Sequence, residues 1–256
     1  MNTVISKLLV YMFNGYNKDI YYEMSLYILS HISLIKDMSL SDFAQKCHTS
    51  TTTVKKFCKI IGYKDFNVMK QYLFSTIEIR KKQIMERYHH YDINRKFDEI
   101  DLITHTSIDR NKWKESIEII VDSIHKAQEL FIVGANYPVF LSFNLIEDMI
   151  VFGKNCYIQN VDQQVQDYYS NEDAYGLLIT ITGRSYMLNQ NNAHMLSDAK
   201  AQFGIISQNL VIKDKIRNVN TFIQLPGKDD DESLNMVIMN IMMMIKFRYF
   251  EKYILV

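Results

Sequence analysis

The chain has 256 residues, with 29 basic and 29 acidic side chains in formal balance. Apolar residues at 48% and charged residues at 23% exclude a disordered or collagen-like chain, and neutrality excludes a uniformly basic coat or an acidic tail. At about 100–200 residues per domain, the length fits one large domain or two ordinary ones.

Cys47, Cys58 and Cys156 are odd in number, widely spaced and free of any CxxC pair. They read as reduced thiols of a cytoplasmic protein, not as a disulfide framework or a zinc site. Lys7 interrupts the apolar stretch Val4–Phe13 and no small-residue cleavage site follows, so no signal peptide is expected. The most apolar segment, Met236–Ile245, contains Asn240 and is ten residues long, against about 20 for a membrane span. A soluble chain without metal or cofactor is expected.

Charge is distributed unevenly. Residues 36–87 hold eleven basic and five acidic side chains, a net of +6, which leaves −6 for the rest. A basic module joined to an acidic one suggests a polyanionic partner for the first.

Tyr21–Ile35 places Met24, Tyr27, Ile28 and Ile35 at helical spacing. Ser39 is a hydroxyl cap with Asp42 three residues on, and Leu40, Phe43, Ala44 and Cys47 form one buried stripe of a two-turn helix. After His48 and Thr49, Ser50 caps a second helix. Val54, Phe57, Cys58 and Ile61 face inward there, and Thr52, Lys55, Lys56 and Lys59 face outward. Gly62 ends it, as suits a residue that accepts positive φ. Two short helices joined by a tight turn describe a helix-turn-helix, with lysines for phosphates and threonines for base edges. Histidine stands at the turn position where glycine is usual, and it tolerates the left-handed region better than most residues. Phe66–Arg87 reads as a further helix with Met69, Leu73 and Ile77 inward. Residues 88–108 lose the period and read as a connector, with His89 and His90 as an exposed pair.

The run Met38-Ser39-Leu40-Ser41-Asp42-Phe43-Ala44, then Thr49 to Lys59, then Gly62-Tyr63-Lys64-Asp65-Phe66, resembles RpiR/MurR-type transcriptional regulators. Lys56 stands where that family usually has arginine, which keeps the charge and loses a two-pronged hydrogen bond. The resemblance implies contact with double-stranded operator DNA through Ser50, Thr51, Thr52, Thr53, Lys55, Lys56 and Lys59.

In the second half, the apolar runs Leu130–Val133, Cys156–Ile158, Leu177–Ile181, Phe203–Ile206 and Phe222–Leu225 alternate with helix-like segments. The helical segments include a stretch that follows Gly134-Ala135-Asn136-Tyr137-Pro138 and runs to Gly153, then Ser185–Gln202 and Asp230–Leu255. This order predicts a doubly wound parallel sheet. Ligands of such sheets bind beyond the carboxyl ends of the strands. The loop Thr180-Ile181-Thr182-Gly183-Arg184-Ser185 leaves a strand and opens a helix, with hydroxyls and amides suited to an anion.

That loop is similar to the S-x-S-G-x-(T/S) loop of SIS (sugar isomerase) domains, which RpiR-type regulators carry behind their DNA-binding unit. The resemblance implies a phosphosugar effector held by Asn136, Thr180, Thr182, Gly183 and Ser185. The first loop departs from the family pattern, because Asn136, Tyr137 and Pro138 replace glycine and small or hydroxyl residues. The phosphate half of the pocket is kept and the sugar half rebuilt.

The last helix is methionine-rich (Met236, Met239, Met242, Met243, Met244), which suits either a core cover or a partner interface. Asp229, Asp230, Asp231 and Glu232 suit the positive end of its dipole.

No GxSxG, HExxH or Walker loop is present, and no motif singles out Glu147 or Asp162 as an acid or base. Ser185 and His194 lie about 13 Å apart by helical rise, too far for a nucleophile and its base.

The expected architecture is a helix-turn-helix domain (1–80), a helical extension and linker (81–107) and an SIS-like α/β domain (108–256). The expected function is a cytoplasmic DNA-binding regulator, non-enzymatic, acting as a homodimer or higher homo-oligomer and sensing a phosphorylated sugar or related metabolite. The alternatives are a sugar-phosphate isomerase and a ligand-independent DNA-binding dimer with a degenerate pocket.

Overall fold

A computed structural model describes residues 3–14, 18–134, 136–160, 171–184, 196–227 and 231–255. The chain divides into two compact units, Met1–His89 and His90–Val256.

The first unit is helical: α1 (Val4–Asn14), α2 (Ile20–Ser30), α3 (Ile32–Ile35), α4 (Leu40–Lys46), α5 (Thr51–Ile60) and α6 (Phe66–His89). The helix expected over 21–35 is broken at His31, whose backbone (φ −131°, ψ 34°) leaves the helical region. The apolar stretch near the N-terminus forms α1, which buries Val4, Ile5, Leu8, Leu9 and Met12 and packs on α2 and α6. Aromatic rings fill the centre. Phe43 stacks on Phe66 at 4.8 Å, and Phe57 lies under Tyr21 at 6.0 Å. Phe43, Phe57 and Phe66 are fully buried, each worth about 1.5–3 kcal/mol of transfer free energy.

The second unit holds α7 (Ile93–Thr104), α8 (Arg110–Lys126), β1 (Glu129–Gly134), α9 (Asn136–Leu141), α10 (Phe143–Val151), β2 (Asn155–Asn160), β3 (Ala174–Ile179), β4 (Gln202–Ser207), a 3-10 turn (Leu210–Lys215), β5 (Val219–Gln224) and α11 (Ser233–Tyr253). The five strands are parallel, in the order β2-β1-β3-β4-β5. In register, Gly134 of β1 lies beside Ile179 of β3.

Three expectations are corrected here. The stretch read as an aperiodic connector contains α7, which buries Phe97 and Ile100, packs on α11 and is tied to α8 by Arg110. Arg110 holds Asp98 at 2.7 Å and Asp101 at 2.6 Å. The helical stretch expected after Pro138 already begins at Asn136 and is two helices, α9 and α10, divided at Ser142. Residues 185–195 lie outside the described residues, and β4 already begins at Gln202, where a helix had been expected to end.

The methionine-rich helix α11 is a core element. It packs on α7, α8, α9 and α10, burying Met242 and Met244 and leaving Met236 and Met239 exposed. The three cysteines are free and buried. Among the described residues, no helix is long and apolar enough to cross a membrane.

Candidate functional site

In the first unit the chemistry-bearing surface is built by caps. The Ser39 side chain accepts from the Asp42 amide, and the Asp42 carboxylate accepts from the Ser39 amide, closing a capping box on α4. The hydrogen bonds from the Ser39 hydroxyl and amide hold the Asp42 carboxyl below its ordinary range. The chain then reverses through His48 at φ 49°, in the left-handed region. The Ser50 hydroxyl accepts from the Thr53 amide at 3.1 Å and opens α5. Gly62, at φ 85°, follows its end.

These turns decide which side of α5 faces water. Val54, Phe57 and Cys58 are buried, and burial pushes the Cys58 thiol up to about 11, so it stays neutral. Ser50, Thr51, Thr52, Lys55, Lys56 and Lys59 are exposed on the other side. Thr53 is half-buried, and its hydroxyl lies 2.9 Å from that of Ser50, within the cap. No acid pairs with Lys55, Lys56 or Lys59 among the described residues. The sequence-predicted row is therefore brought together, with three uncompensated ammonium groups on one helix of ten residues.

In the second unit, the strand order reverses direction between β1 and β3, the kind of switch point at which ligands of parallel sheets bind beyond the carboxyl ends of the strands. The loop at 180–184 stands there. Thr180 is buried, its amide donates to the Ile206 carbonyl, and its hydroxyl accepts from the Gly183 amide at 3.1 Å. Gly183 sits at φ 78°, and a Cβ there would run into the Ile212 side chain. Thr182 is half-buried and accepts from Arg184 Nε at 3.1 Å; Arg184 itself is exposed. Thr180 and Gly183 thus shape the loop, and Thr182 and Arg184 form its outer edge.

Asn136 begins α9 directly beyond β1. Ser185, Asp162, His194, Asp229 and Asp230 lie outside the described residues. Tyr137 is 59% exposed, whereas Pro138 is buried in the first turn of α9, where its missing N–H costs no helical bond. Glu147 lies on α10, half-buried.

Sequence reasoning missed the support of the 180–184 loop. The Ser207 hydroxyl donates to the Ile181 carbonyl at 3.1 Å, the Gln208 amide donates to the same carbonyl at 2.9 Å, and Asn209 Nδ2 donates to the Thr182 carbonyl at 3.2 Å. The polar triplet Ser207-Gln208-Asn209, at the end of an apolar strand and just beyond it, was the available signal.

No family model matches the chain, and no curated protein matches it. Solved structures do. The NanR protein of Vibrio vulnificus complexed with ManNAc-6P is similar at 14% identity, covering 98% of this chain and 92% of that one, with a TM-score of 0.43. A hypothetical protein of Methanococcus jannaschii, with an inferred 3-hexulose-6-phosphate isomerase function, is similar at 13% identity over 62% of this chain and 88% of that one, TM-score 0.45. The sugar isomerase domain of an RpiR transcription factor from Sphaerobacter thermophilus is similar at 10% identity over 62% and 89%, TM-score 0.41.

Proposed function

We propose that this chain is a DNA-binding transcriptional regulator. Its first unit reads operator DNA through α5, and its SIS-like α/β unit senses a phosphorylated sugar or related metabolite. The observation that carries the reading is the exposed row Ser50, Thr51, Thr52, Lys55, Lys56 and Lys59, presented by a capped helix behind the His48 turn. Three lysines with no acid partner form a counterion-releasing surface for a polyanion, and the threonine hydroxyls and methyls suit base edges. A two-fold operator demands a homodimer, which brings two α5 helices to half-sites about one helical turn apart.

The effector belongs beyond the carboxyl ends of β1 and β3, with Asn136, Thr180, Thr182, Gly183 and Ser185 as its proposed contact residues. Ligand binding shifts the population between placements of the two reading helices, of which one fits the operator. The cell compartment is the cytoplasm, in keeping with three buried free thiols.

Selection of pooled genomic fragments by the intact chain in dilute buffer tests the DNA reading. Enrichment of a common inverted repeat supports it, and uniform failure to retain any fragment refutes it. A thermal-shift screen of phosphosugars tests the effector. A raised melting point with one compound class supports sensing, and none across the panel favours the ligand-independent dimer.

A further inference from the structure

The first unit carries a second feature that DNA binding does not use. An open groove of about 670 Å³ lies between α1 and the carboxyl end of α5. One wall is the α1 stripe Lys7, Val10, Tyr11 and Asn14, at i, i+3, i+4 and i+7; Ile60 and Ile61 form the other. The size is that of a small-molecule site. Val10 is 42% exposed and Ile60 53% exposed, so apolar surface is held open to water on both walls.

The groove has a single kind of charge. Lys7 Nζ stands 4.3 Å from the centroid of the Tyr63 ring, and no acid pairs with it among the described residues. The Asp19 carboxylate does not line the groove; it accepts from the Tyr11 hydroxyl at 2.8 Å and from the Tyr22 amide, neutral donors that leave its charge in place. An apolar trough whose one charged lining side chain is the Lys7 ammonium is complementary to a molecule with an apolar body and one negative head. A free sugar phosphate lacks the body, and a second lysine-rich helix carries the wrong charge.

We propose that this groove binds an amphipathic organic anion, with its head group on Lys7 and its acyl or aromatic body across Val10 and Ile60. The site is separate from the proposed phosphosugar site and does not depend on it.

The test titrates the intact chain with 8-anilino-1-naphthalenesulfonate and with N-phenyl-1-naphthylamine, which has the same aromatic body without the sulfonate. Both dyes bind saturably in the wild type. Lys7→Met weakens the sulfonate dye about fivefold, the scale of a half-exposed charge pair, and leaves the neutral dye within about twofold. Ile60→Glu abolishes binding of both, and Val10→Glu, on the opposite wall, does the same independently. Val211→Glu, at an exposed apolar residue of the other unit, changes neither titration. Unchanged sulfonate binding in Lys7→Met, or unchanged binding of both dyes in the two groove variants, overturns the proposal. So does a fall in solution mass on Ile60→Glu, which would make the groove a seat for a second copy of the chain.

Discussion

Lys246 and Asp148 form an ion pair at 3.1 Å inside the α/β unit, with only 5% and 0% of their side chains exposed. The pair joins α10 to α11, and Lys246 also donates to Asn144 Oδ1 at 2.8 Å and lies over the Phe247 ring. Removing one partner strands a buried charge, at a cost of about 3–5 kcal/mol, whereas replacing both with apolar groups is often neutral. Lys246→Met alone and Asp148→Leu alone are therefore expected to be far less stable than the double variant. Trp113 is the single tryptophan and is buried in this unit, so its emission during denaturation reads the comparison.

The turn before α5 makes a backbone prediction. His48 at φ 49° occupies a conformation that β-branched residues reach only with strain. His48→Val is expected to lower stability by about 1–2 kcal/mol. His48→Gly is expected to be within about 1 kcal/mol of wild type, because relief of strain opposes the added freedom of the unfolded chain. Thermal melts followed by helical circular dichroism check both.

Gly183 ties loop shape to ligand binding. At φ 78° and against Ile212, it has no room for a side chain. Gly183→Ala is expected to cost about 1–3 kcal/mol and to weaken any phosphosugar-induced thermal shift. Denaturation followed by Trp113 emission, together with the ligand shift, measures the two effects.

Acid should loosen the contact between α8 and α11. Hydrogen bonds from Lys252 at 2.5 Å and from the Tyr253 hydroxyl at 2.7 Å hold the Asp122 carboxyl below its ordinary range. A carboxyl lowered by folding adds stability that is complete above its unfolded pKa of about 3.9 and is lost as pH falls through the lower folded value. Wild type should therefore lose more stability than Asp122→Asn as pH drops below about 4. Denaturation midpoints at several acid pH values give the comparison.

The helices around the proposed DNA face were legible because their signals are local. Ser39, Asp42, Ser50 and Gly62 mark the ends of α4 and α5, and the stripes between them carry the inward side. The strands were legible as apolar runs, although β5 begins at Val219 rather than Phe222, since Val219, Asn220 and Thr221 do not form an apolar run. Helix α7 was not legible. It buries only Phe97 and Ile100, and its place depends on α11 and on the reach of Arg110 to Asp98 and Asp101, which no local pattern shows. Helix α8 carries its signals locally, in the Asp109 cap and the stripe Trp113, Ile117, Ile120, Val121 and Ile124. The Lys246–Asp148 pair joins residues 98 positions apart in sequence, so only the folded chain reveals it.

The most direct test of the central claim is the salt dependence of operator binding by the intact chain and by Lys55→Ala with Lys59→Ala. If these ammonium groups lie on phosphates, the slope of log affinity against log salt becomes shallower by about two, and affinity at low salt falls. An unchanged slope and affinity would contradict the assignment of α5 as the DNA-reading helix.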